Sequence, residues 1–150
     1  MTHQEKENFI SLVTTLVVTI PYIAFILGKY QAETFSTSEE LKFWATAILI
    51  LIPIRIVTQI VIYILYSIGR AIVTGDDKEE TVLVDERDAM IELKGERIGY
   101  YVFLLGFIIA IASLATGGSI AIFFGLLWIT GFTSELTTIF SKMYLDKRGL

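Results

Sequence analysis

Residues 43–68 read FWATAILILIPIRIVTQIVIYILYSI, an apolar run interrupted by one charge, Arg55, and one side-chain amide, Gln59. As a helix rising about 1.5 Å per residue, it is long enough to cross a hydrocarbon core of about 30 Å. Residues 9–27 (FISLVTTLVVTIPYIAFIL), 98–116 and 119–141 meet the same standard. Only Gly117 and Gly118 separate the last two stretches, which predicts a tight helical hairpin. The whole chain has the same character: of 150 residues, 54% are hydrophobic and 19% charged, with mean hydropathy +0.66. A water-soluble domain of this size cannot hide that much apolar surface. The expected fold is therefore all-α: a four-helix integral membrane bundle forming a single transmembrane domain over residues 1–150. The first stretch is too long for a signal-peptide core and lacks a small-residue cleavage site, so it is read as a retained span.

Lysines and arginines set the expected orientation. Lys6, Arg70, Lys78, Arg87, Lys94, Arg97, Lys142, Lys147 and Arg148 fall on one side, against Lys29 and Lys42 on the other. Nine against two places both termini and the 69–97 loop in the cytoplasm and the chain in the cytoplasmic membrane. Trp44 at one boundary, and Tyr66, Tyr100, Tyr101 and Tyr144 at the other, fit aromatic belts; Trp128 falls mid-span and does not.

Composition also excludes chemistry. With no cysteine there is no disulfide framework, thiolate metal site or cysteine nucleophile. A single histidine, His3, excludes a histidine-rich zinc site or bis-histidine haem ligation within one chain. A net charge of −4 and pI near 5.0 argue against direct nucleic-acid binding. No P-loop, nucleophile elbow or zincin motif is present. The expectation is a protein that is not an enzyme and carries no cofactor and no metal.

The central loop is where charge concentrates. Gly75 ends the second helix, DDKEE is a solvated turn, and residues 81–84 (TVLV) read as extended. Asp85 then caps a new helix, with Glu86 and Asp88 at the positive end of its macrodipole. Met90, Leu93 and Arg97 recur at helical spacing, with Ile91 and Ile98 seven apart, as an amphipathic stripe. Nothing stops this helix before the third span, so one rod of about 45 Å is expected from Asp85 to Leu114, extended into the cytoplasm. Gly95 is tolerated in it at about 1 kcal/mol relative to alanine.

The string DERDAMIELKGERIGYY (residues 85–101) resembles the signature of an uncharacterised family of small four-helix bacterial and archaeal membrane proteins. The matching positions are Asp85, Glu86, Arg87, Asp88, Ile91, Lys94 and Arg97, with Gly95 where alanine is expected. The resemblance implies the four-span layout, and it implies no established activity. Its members are similar in size to membrane proteins encoded beside helix-turn-helix regulators, which points towards regulation or immunity. Three readings of the box stand open. It is a docking or ion-pair surface using Arg87 and Lys94, a cation site of Asp85, Asp88 and Glu92, or a solvated helix start.

Polar residues within the spans carry the remaining information. Arg55 lies near the bilayer midplane, where an arginine costs about 2.5–3.5 kcal/mol and must face protein, water or a partner. Glu135 is one candidate partner, although counting from the start of each span places it about 6 Å deeper. The other is the carbonyl of Val17, freed because Pro21 has no N–H to offer it. Pro21 and Pro53 should kink their helices. Three roles for Arg55 remain: a structural clasp, part of a ligand or ion pathway, or a snorkelling or subunit contact. Thr130, Thr133, Ser134, Thr137 and Thr138, like Thr14, Thr15 and Thr19, read as helix-packing glue. Gly99, Gly106, Gly125 and Gly131 would permit close helix approach, while no clean G-x-x-x-G lies within any span.

The leading expectation is a non-catalytic membrane protein offering its charged cytoplasmic helix to a protein partner, such as a transcriptional regulator. The alternatives are a small oligomeric transporter or channel using Arg55 and Glu135, or an accessory subunit of a larger membrane complex. Its other expected partners are the lipid bilayer and further copies of itself.

Overall fold

The computed structural model describes residues 3–32, 36–74 and 86–149. Among these run four helices and no strand: α1 (His3–Ala32), α2 (Thr37–Thr74), α3 (Glu86–Ala115) and α4 (Ile120–Lys147). All four are long and apolar enough to cross a membrane, and the chain is a multi-pass helical membrane protein. Every helix outruns the apolar stretch that announced it, α2 most of all. Its 38 residues extend about 57 Å, well beyond a core of about 30 Å. The expectations for Gly75, the acidic turn, the extended 81–84 segment and the Asp85 cap lie outside the described residues.

Local chemistry fixes the helix ends. The backbone N–H of Ser36 donates to Glu39 Oε2 at 3.1 Å and the Ser36 carbonyl accepts from Glu40 N at 2.9 Å, which starts α2 in the manner of a capping box. The α3–α4 hairpin forms as expected. Gly117 adopts φ +90°, Gly117 N donates to Leu114 O, and Gly118 N reaches back to Ser113 O at 2.7 Å. That pair of bonds is a Schellman motif, and glycine is what permits its left-handed residue. Ser119 then caps α4, its Oγ accepting from Ile122 N at 3.2 Å.

α4 is the shared helix of the bundle. α3 packs along it, while α1 packs on both α2 and α4 and α2 meets α4 only lightly. The α3–α4 seam is built from small groups. On α3 the buried line is Ile91, Gly95, Gly99 and Ala110. Opposite stand Thr130, Ser134, Thr138 and Lys142, each four residues from the next. A Cβ on Gly99 would lie 1.8 Å from Thr138 Oγ1, one on Gly106 2.3 Å from Thr130 Oγ1, and one on Gly95 2.5 Å from Lys142 Cγ. Ser134 Oγ donates to the Gly99 carbonyl at 2.6 Å, so the seam is also bonded across.

Two expectations need correcting here. Gly95 is a contact point and not merely tolerated: with Gly99 it makes a G-x-x-x-G that straddles the start of the third apolar stretch. The outward face of this helix carries Met90 and Leu93, because glycines, which leave no mark on a hydropathy pattern, line the face that is buried. Gly125 and Gly131 have no neighbour within 4 Å of such a Cβ and take no part in close approach.

α1, α2 and α4 meet in a different core near the hairpin end, where Ile26, Trp44 and Ala47 are buried. Trp44, expected at a lipid boundary, is only 2% exposed. It stacks on Phe124 (6.0 Å, 8°) and meets Trp128 edge-on (5.6 Å, 79°), which gives Trp128 its place as well. Tyr22 crosses from α1 to donate its hydroxyl to the Ala47 carbonyl at 2.5 Å. α1 and α2 continue through Pro21 and Pro53 without a break, and both prolines face outward.

Gly99→Ala should destabilise the detergent-solubilised protein by about 1–3 kcal/mol, the usual range for overpacking. Gly125→Ala, with open space around it, should be neutral or stabilising by up to about 1 kcal/mol. Thermal unfolding of the two variants side by side checks the seam.

Candidate functional site

Thr15 of α1, Arg55 of α2 and Glu135 of α4 converge inside the membrane-spanning region. The Arg55 guanidinium forms an ion pair with Glu135, from Nη2 to Oε1. The same nitrogen donates to Thr15 Oγ1 at 3.4 Å, and Thr15 Oγ1 lies 3.0 Å from Glu135 Oε1. The single hydroxyl proton of Thr15 is shared between that carboxylate and the Ser11 carbonyl of its own helix, 2.8 Å away. Thr15 is fully buried at 0% exposure, whereas the side chains of Arg55 and Glu135 retain 31% and 27%. Arg55 Nε is buried with no acceptor among the described residues.

One spacing brings the three together. Trp44 and Arg55 are eleven residues apart, as are Phe124 and Glu135, and, running the other way, Ile26 and Thr15. Eleven residues make about three turns and about 16 Å, which returns a side chain to nearly the same face. The apolar layer of Ile26, Trp44 and Phe124 therefore dictates a polar layer three turns below it. Depth counted from the start of each span put Glu135 too deep by about one turn. Ser119 stands five residues above Phe124, whereas Phe43 adjoins Trp44, because the apolar stretch of α2 begins well inside its helix, which starts at Thr37. The Val17 carbonyl is not what receives Arg55. Gln59 lies apart from the cluster, exposed on α2 in a groove of about 340 Å³ with Glu7 and Tyr63.

A second polar assembly lies where α3 extends past the apolar spans. Arg87 grips the end of α4 with both nitrogens, Nη1 donating to Asp146 Oδ1 at 3.1 Å and Nη2 to the Asp146 carbonyl at 2.7 Å. Lys142 Nζ sits 3.9 Å from Glu92 Oε1. Ile91, 1% exposed, fills the contact beneath. The box is thereby divided. Arg87 and Ile91 face α4, Asp88 is half-buried, and Glu86, Lys94 and Arg97 face outward, while Asp85 lies outside the described residues. Among the described residues, no three His, Cys, Asp or Glu side chains converge to hold a metal ion.

Lys6 entered the sequence analysis only as a charge, yet it has a structural role. It is buried at 7% exposure, with Nζ 4.9 Å from the Tyr63 ring and 5.2 Å from the Tyr66 ring. Cation–π contacts of this kind join the starting end of α1 to the far end of α2. Two tyrosines three apart on α2 were the available signal; which lysine would meet them depended on the helix pairing.

These observations define a class, the multi-pass helical membrane protein, with an internal ion-pair cluster and a helix clamped outside the apolar region. No family model, characterised protein or solved structure matches the chain.

Removing either member of the intramembrane pair, by Arg55→Met or Glu135→Met, should cost about 3 kcal/mol by leaving a charge unpaired within the spans. The double substitution should recover most of that loss. A double-mutant cycle on unfolding in mild detergent measures the coupling, and strictly additive losses would show that the two side chains do not support one another.

Proposed function

We propose that the chain is a non-catalytic membrane protein that presents the extramembrane face of α3 to a protein partner in regulation, sensing or immunity. The observation that carries this reading is the way α3 is held. Its inward face is clamped to α4 through Arg87 and Asp146, while Met90, Leu93, Lys94 and Arg97 are left exposed on the other side. A rigid helix with paired basic and apolar groups loses little entropy on docking. Exposed Glu86 and Glu96 stand beside the two bases, so it suits a partner surface that is apolar at its centre and mixed in charge at its rim. The excess of Lys and Arg on this side supports placing it in the cytoplasm, with the chain in the cytoplasmic membrane.

A second reading, a small oligomeric transporter or channel, is favoured by the residual exposure of Arg55 and Glu135. A charged pair reachable from outside its own bundle is a feature of ion and substrate paths. Ion flux in liposomes that is lost in Arg55→Ala and retained in the Lys94/Arg97 variant would favour that reading.

Combined Lys94→Glu and Arg97→Glu should release the co-purifying partner in mild detergent without lowering membrane yield or thermal stability. Retention of every co-purified protein would defeat the docking reading. The absence of cysteine allows clean mapping of sidedness. Ser38→Cys should react with an impermeant thiol reagent in intact cells, and Lys94→Cys only after permeabilisation.

A further inference from the structure

We infer that water reaches the Arg55–Glu135 pair from one side only, through the groove between α1 and α2 that opens at the end where α1 begins. The pair itself is incomplete. A guanidinium offers five N–H donors, and in Arg55 only those on Nη2 find acceptors among the described residues, in Glu135 Oε1 and Thr15 Oγ1. The side chains of Arg55 and Glu135 also stay 31% and 27% uncovered. Hydrocarbon against charged groups at this depth is costly, so the uncovered part calls for water.

The groove holds about 340 Å³ and carries Glu7, Gln59 and Tyr63 among isoleucines. From Ile64 to Ile56 it climbs about 12 Å along α2, and it starts beside Glu7, just before the first apolar stretch. Gln59 is exposed in it, and its amide has no partner among the described residues. An acyl chain offers that amide neither donor nor acceptor; water offers both. The deep end lies beside the pair, because Ile56 follows Arg55 directly and Gln59 is one turn away, about 6 Å along the axis and about 40° round it. Beyond the pair the way is shut. Ile26, Trp44 and Ala47 are buried, none more than 5% exposed, with Phe124 and Trp128 packed against them. This one-sided access is independent of the partner-docking reading. It gives the transporter reading a direction, yet it can be measured whether or not anything is transported.

The test uses single cysteines in the full, cysteine-free chain and a membrane-impermeant thiol reagent, which reacts with thiolate and so only where water ionises the thiol. Val57 is the control for depth. It lies between Ile56 and Gln59 in level and is 59% exposed, but it is outside the groove. Ile56→Cys and Gln59→Cys should react at least about tenfold faster than Val57→Cys. They should do so from the side on which Lys94→Cys reacts and not from that of Ser38→Cys. Glu135→Cys, combined with Arg55→Met so that no charge is left unpaired, should react from the same side, and Ala47→Cys from neither. Arg55→Cys with Glu135→Met probes the same point from α2 should the first pair fail to fold, as thermal unfolding will show. Equal rates at positions 56, 57 and 59, or labelling of Gln59→Cys from the Ser38 side, would overturn the inference. An unreactive Gln59→Cys would mean that lipid fills the groove, and reaction at Gln59→Cys that spares both pair positions would mean that the groove stops short; either outcome defeats it.

Discussion

An arginine held halfway through a bilayer forces a choice on everything around it. Left in hydrocarbon it costs several kcal/mol, and from that depth its side chain has no easy route to either interface. Here the requirement is met by a carboxylate from α4 and a hydroxyl from α1, so three helices become mutually dependent at one level. The apolar layer of Ile26, Trp44 and Phe124, three turns away, imposes the same register by packing. A slip of one turn, about 5.4 Å, would lose both layers together. Register in an apolar bundle is otherwise weakly specified, since lipid tails and leucines are interchangeable neighbours.

The α3–α4 seam solves a different problem. Between apolar helices in lipid there is no hydrophobic drive to associate, so contact depends on close packing and on hydrogen bonds. Gly95, Gly99 and Gly106 remove the side chains that would hold the backbones apart, and Ser134 bonds directly to the Gly99 carbonyl. Thr137 and Thr138 return their hydroxyls to their own helix at Thr133 and Ser134. The hydroxyl-rich stretch therefore contributes across the seam through Ser134 and through the bulk of Thr130 and Thr138. Beyond the apolar region, where a charge pair costs little to solvate, the same seam continues as Arg87 on Asp146.

Much of this architecture is written in the sequence because length and apolarity alone decide it. Four stretches long enough to cross lipid, and two glycines between the last pair, require four helices and a hairpin. The intramembrane pair was only half legible. Arg55 and Glu135 identify themselves as costly, but their levels cannot be compared until something ties α2 to α4, and Trp44 and Phe124 give no outward sign of touching. Gly95 illustrates the converse difficulty. Hydropathy weighs side chains, so a face defined by missing side chains leaves no mark on the pattern, and the stripe that does stand out, Met90 and Leu93, is the exposed one. Lys6 was legible as a positive charge and not as a partner of Tyr63 and Tyr66. That contact follows from pairing the start of α1 with the end of α2.

The two solutions meet on α4, whose membrane-spanning stretch is the least apolar of the four. Ser134 and Glu135 are consecutive, and consecutive residues of a helix point about 100° apart. One is bonded to α3 and the other to α1 and α2. A polar residue is hard to place on a lipid-facing surface, yet here both neighbours face protein, because α4 has partners on two sides. This accounts for the placing of polarity in the chain. α2, which meets α4 only lightly, is mostly exposed and accordingly carries the greasiest sequence. α4 can accommodate hydroxyls and a carboxylate because other helices cover them. It also follows that α3, though distant from Arg55, is positioned by the same short stretch of α4 that receives the arginine. A rotation of α4 that disturbed the ion pair would therefore move the extramembrane end where Arg87 holds Asp146. The clamped helix and the intramembrane charge share one support.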